Sequence, residues 1–111
     1  MAKERLSKLQ KWILVRCIQN QKTGMEKGNP NTKPFIYYET IYSEYFGCKY
    51  KEPKPNKYAV TLCRSVDRLW ERGWIIHLLD YGRPCGLVLT NEDAIEKAKS
   101  LMLIDDINIK K

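Results

Sequence analysis

Between positions 57 and 90 the chain carries a pattern that few folds can satisfy. It reads KYAVTLCRSVDRLWERGWIIHLLDYGRPCGLVLT: a basic amphipathic run, a glycine stop, then two short apolar segments joined by a Gly/Pro turn. Ala59, Leu62, Cys63, Val66, Leu69 and Trp70 recur at the spacing of one buried helical stripe. Asn56 suits a helix N-cap and Gly73 a helix end, so the spacing predicts a helix over about 57–72. Residues 74–79, WIIHLL, then read as a strand and 87–90 as its return partner. Residues 80–86, DYGRPCG, form the connection, with two glycines and a proline to supply turn backbone. A helix followed at once by a hairpin buries one helix face and leaves the other beside a projecting ribbon.

The polar positions of that helix carry the functional expectation. Thr61, Arg64, Ser65 and Arg68 recur at i, i+3, i+4 and i+7 and are expected to share an exposed face. Arginine can fork onto guanine O6 and N7, while serine and threonine reach bases or phosphates. A plain solvated face with Arg–Glu pairing is the competing expectation. Arg83, near the hairpin turn, is placed to enter a minor groove or touch a phosphate, or to be an ordinary loop arginine. His77, between apolar neighbours, is expected to be a packed or edge residue.

Charge agrees with a polyanionic partner. The 111 residues hold 20 Lys/Arg against 13 Asp/Glu, a net of +7. The excess lies in residues 1–58, with twelve basic and five acidic groups, whereas residues 91–111 carry four and five. Each phosphate neutralised by such a surface releases condensed counterions. Lys49, Lys51, Lys54 and Lys57, in the stretch CKYKEPKPNKY, are the expected phosphate contacts, with Tyr58 beside them.

Length alone gives one domain, 1–111, with no uninterrupted apolar run near the roughly 18 residues of a membrane span. The start, MAKERLSKLQK, has no apolar h-region, so a cytoplasmic location is expected. Cys17, Cys48, Cys63 and Cys85 share no CxxC spacing and there is one histidine, so no metal is expected. In a reducing cytosol they are expected as small buried hydrophobes, Cys17 and Cys63 on apolar helix faces; a disulfide stays open. No cofactor is expected. Without a phosphate loop, a paired-carboxylate motif or a supported nucleophile–His combination, an enzyme is not expected either.

Along the rest of the chain, Ser7 and Gln10 form a capping-box pattern for a first helix to about Gln21, with Gly24 helping to end it. Leu6, Leu9, Ile13, Leu14 and Cys17 make its apolar stripe, and Trp12, Val15 and Ile18 widen the arc enough for a second neighbour or a partner subunit. A polar loop, TGMEKGNPNTKP, precedes a second helix expected over 35–46 and ended by Gly47, although its Tyr and Ile content also suits a strand. Asn91 is expected to cap a last helix over about 91–104, followed by an unusually apolar tail. That helix and the first would support a homodimer.

The segments TLCRSVDRLWERGWI (61–75) and LVLTNEDAIEKA (87–98) resemble winged helix-turn-helix regulators of the MarR/PadR type. The linker before the third helix is longer than in that family. The resemblance implies a mainly α, α+β fold with a two-stranded wing over about 74–90 and a C-terminal helix. It also implies that Thr61, Arg64, Ser65 and Arg68 face double-stranded DNA, with Arg83 on the wing. The expected function is a small transcription regulator. A winged-helix module that holds a protein partner is the alternative, and single-strand or RNA stacking by Tyr37, Tyr38, Tyr42 and Tyr50 a weaker one.

Overall fold

A computed structural model describes residues 6–48 and 56–109. Helix α1 (Lys8–Glu26) starts as the sequence predicts. The Ser7 hydroxyl accepts from the Gln10 amide at 3.1 Å, and Gln10 Oε1 accepts from the Ser7 amide at 2.8 Å. The helix continues past Gly24, which ends nothing. A Cβ there would lie 2.5 Å from Thr32, so this glycine admits the returning loop. The turn out of the helix falls instead at Gly28, with φ +97°.

The expected second helix divides in two. Its first residues are a strand, β1 (Phe35–Tyr37), followed by α2 (Tyr38–Thr40) and a π-helical segment, Ile41–Tyr45. Gly47, with φ +72°, follows its end. An edge strand of three residues leaves no period to detect; what makes it a strand is its partner. Phe35, Ile36 and Tyr37 pair antiparallel with Val88, Leu87 and Gly86. Gly86 admits a close approach of β1, because a Cβ there would collide with the Ile36 carbonyl oxygen.

Helix α3 (Asn56–Glu71) closes through two bonds at Gly73, whose φ is +75°. The Gly73 amide donates to Trp70 O at 2.9 Å and the Trp74 amide to Leu69 O at 3.2 Å. This is a Schellman termination, and it aims the chain straight into β2 (Ile75–Asp80). Its partner β3 (Arg83–Leu89) lies between the other two strands, in the order β1-β3-β2. The two-stranded wing of the sequence expectation is thus two-thirds of a three-stranded antiparallel sheet. Helix α4 (Glu92–Ile109) is longer than the expected 91–104. Asn91 caps it, Oδ1 accepting from the Asp93 amide at 2.7 Å.

The result is a mainly helical α+β fold, consistent with a winged-helix-like architecture. One core joins Ile13, Leu14 and Cys17 of α1, Ile36 of β1, Ile41, Leu69 of α3, Leu87 of β3, and Ala94 and Ala98 of α4. α1 packs against α3, α4 and β1, so its wide apolar arc is filled within the chain. Arg16 on α1 holds Glu44 through two parallel bonds of 3.0 and 2.9 Å, which keep that carboxyl below its usual pKa. Among the described residues, no helix is long and apolar enough to cross a membrane.

Gln10 connects the cap to the site-bearing helix. Its amide Nε2, in a buried side chain, donates to the Ser65 carbonyl of α3 at 3.2 Å. Gln10→Ala removes half of the capping box and this inter-helix bond together. The expected loss is about 1–2 kcal/mol, read as a lower midpoint in chemical denaturation.

Candidate nucleic-acid interface

α3 turns Leu62, Ser65, Val66 and Leu69 into the protein. On the opposite side, Lys57, Thr61, Arg64 and Arg68 are all exposed. Their spacing is i, i+4, i+7 and i+11. At about 100° per residue these four fall within roughly 60° of the circumference and span some 16 Å of helix axis. They form one cationic ridge along three turns. Among the described residues, neither Arg64 nor Arg68 is within ion-pair distance of a carboxylate; the described ion pair is Arg16–Glu44. The adjacent row carries Val60, Asp67 and Glu71, all exposed, so the whole face is mixed in sign and the ridge alone is basic.

Three expectations about this helix are corrected. Ser65 is only 8% exposed, and its carbonyl accepts from Gln10 of α1, so it does not share an open surface with the arginines. Cys63 is exposed, and Trp70 is 55% exposed, although both were expected in the buried stripe. The reason is the narrowness of the contact: Leu62, Ser65, Val66 and Leu69 fill the groove available to α3. Cys63 and Trp70 lie roughly 110° and 90° around the helix from its centre. Apolar identity does not force burial when the neighbouring elements leave no room.

Of the phosphate-contact lysines, Lys57 stands on the ridge, whereas Lys49, Lys51 and Lys54 lie outside the described residues. Tyr58 is half-buried, its ring stacked on Phe46 at 4.6 Å and 21°. That ring face is occupied. Tyr42 is buried and packs on Phe46, and the Tyr38 hydroxyl meets His77 Nδ1 at 3.0 Å. Tyr38 and Tyr42 support the core rather than an open stacking platform; Tyr37 is exposed, and Tyr50 lies outside the described residues. His77 is half-buried on an edge strand, within the packed-or-edge expectation.

The hairpin is longer and tighter than expected. The strands extend to Asp80 and Arg83, which pair across a two-residue turn, Tyr81-Gly82, with φ of +52° and +77°. Two successive positive φ values make a type I′ turn, which matches the twist of the strands and favours Asn-Gly or Asp-Gly. Tyrosine there costs roughly 1–2 kcal/mol relative to glycine. Register shifts after Leu78, with Leu78 opposite Gly86 and Leu79 opposite Pro84, so Cys85 is the extra residue of a bulge. Arg83 is exposed at this end. The expectation for the wing named Arg83 alone; Tyr81 beside it is 98% exposed, and only tertiary placement distinguishes it from any loop tyrosine.

An open cleft of about 510 Å³ separates α3 from the hairpin, lined by Cys63, Val66 and Asp67 on one wall and His77 and Pro84 on the other, with Tyr38, Tyr42 and Leu62. The hairpin therefore flanks α3 on the side of Asp67. All four cysteines are free thiols, and burial pushes the Cys17 thiol far above its usual pKa. Among the described residues, no group of three or more His, Cys, Asp or Glu could hold a metal ion.

Comparison with protein-family models, curated proteins and solved structures finds no match. The functional reading therefore rests on the surface itself.

Proposed function

We propose that this protein binds double-stranded DNA, laying α3 in a major groove and its hairpin against the backbone or adjacent minor groove, as winged helix-turn-helix transcription regulators do. The observation that carries this reading is the ridge Lys57–Thr61–Arg64–Arg68, solvent-facing along one stripe of a helix flanked by a projecting hairpin. An α-helix fits the roughly 12 Å major groove, and such a ridge offers two forked donors with a hydroxyl between a lysine and the arginines. The net charge of +7 supplies long-range attraction.

The homodimer is part of the same proposal. Its support is a set of apolar residues only partly buried against the core: Ile95, Leu101 and Met102 of α4, with Leu6 and Trp12 near the start of α1.

Selection of bound sequences from a random duplex pool, followed by a salt titration on the winner, tests the proposal. A recovered consensus and a log K that falls by about 0.9 per phosphate contact against log salt are the expected results. Sedimentation of the complex then gives two copies per site for a dimer. Retention no better than that of an unrelated basic protein of equal charge leaves the winged-helix protein-interaction module as the reading. The exposed Trp70 and Val60 would then be its contact residues.

A further inference from the structure

We infer that the end of the hairpin is an apolar wedge that enters a base step of the duplex from the minor groove, with Tyr81 as the inserted ring. This rests on the DNA-binding reading above and specifies how the hairpin takes part in it.

Three independent features meet at this end. First, Tyr81 is the one non-glycine residue with positive φ among the described residues. The turn type is best served by Asn or Asp at that position, so the ring stands there against backbone preference. Second, the ring packs against nothing among the described residues. Tyr81 is 98% exposed, Leu79 is 62% exposed and Pro84 is exposed, a cluster of apolar side chains with no core to stabilise. Third, the bulge at Cys85 twists the last residues of the ribbon relative to the sheet, re-aiming its end.

Charge decides between partners. Asp80 lies opposite Arg83 in the register, so the end of the ribbon is itself neutral. Attraction comes from the α3 ridge that the hairpin flanks and from the net +7, both suited to a polyanion. A ridge in the major groove brings the flanking hairpin over the neighbouring minor groove. Apolar side chains inserted there unstack a step and kink the duplex, most cheaply at pyrimidine–purine steps such as TA. The preferred ligand is therefore a duplex with such a step beside the site read by α3.

The test uses the full chain and short duplexes carrying 2-aminopurine at a central TA step, with Tyr81→Asn, Tyr81→Phe and Arg64→Ala/Arg68→Ala variants. Asn-Gly suits the turn, so Tyr81→Asn should melt at or above the temperature of the parent. The parent should raise 2-aminopurine fluorescence on binding. Tyr81→Asn should bind about tenfold more weakly, with no rise, and Tyr81→Phe should keep both properties. Parental affinity in Tyr81→Asn, with weakened binding by the double arginine variant, overturns the wedge and leaves the DNA reading intact. Weaker binding by Tyr81→Asn when even the parent gives no fluorescence rise also overturns it. So does a change in the mass of the free protein, which would make the end a contact between copies. If the parent binds no duplex better than a generic basic protein, the DNA reading fails and the wedge with it.

Discussion

Arg64→Ala/Arg68→Ala should bind its preferred duplex about 30- to 1000-fold more weakly than the parent. The figure follows from roughly 2–4 kcal/mol for two forked contacts one helical turn apart, fewer than two independent contacts would give at their upper limit. Both side chains are exposed, and neither makes an ion pair among the described residues, so the melting temperature should barely move. Sequence preference should relax along with affinity, which separates base contact from charge attraction; fluorescence anisotropy on matched and shuffled duplexes reads both. Ser65→Ala is the internal control. Its side chain is buried, so its affinity should equal that of the parent. An unchanged double arginine variant at every salt concentration would remove the ridge from the interface.

The second large effect concerns the rotation of α3 about its own axis. Leu69 is 0% exposed and Trp70 is 55% exposed, although they are neighbours and both apolar. Leu69→Ala should destabilise the fold by roughly 2–5 kcal/mol, as expected when a core leucine is truncated beside neighbours that collapse only partly. Trp70→Ala should cost less than Leu69→Ala, because more than half of its surface stays in water and its loss leaves no enclosed cavity. Urea titration of the two variants settles the order. The reverse order would put Trp70, not Leu69, at the centre of the buried face of α3.

Much of the framework is legible locally. The Ser7/Gln10 box, the Gly73 stop and the Asn91 cap depend on a few adjacent residues whose backbone preferences are strong, and all three stand where the spacing puts them. The hairpin was legible in kind but not in extent. Its turn uses Tyr81 at positive φ, a residue that carries no turn signal, so the Gly and Pro of DYGRPCG imply a longer loop than the two residues that form it. The strand at 35–37 was hidden for the opposite reason. Three residues carry too little period, and their state is decided by pairing with Val88, Leu87 and Gly86, some fifty positions away.

The candidate site divides in the same way. That α3 has a basic polar side follows from the order of its residues, because a helix fixes which side chains align. Which row of that side is open does not follow. Ser65 lies inside and Cys63 and Trp70 outside, against expectation, because α1, the sheet and the π-helical segment together leave a groove that Leu62, Ser65, Val66 and Leu69 fill. Local sequence governs torsion angles and caps, whose energies arise between neighbours in the chain. The rotation of a helix and the partner of an edge strand are set by contacts between residues far apart, where volume and shape, not residue type, choose among nearly equal alternatives.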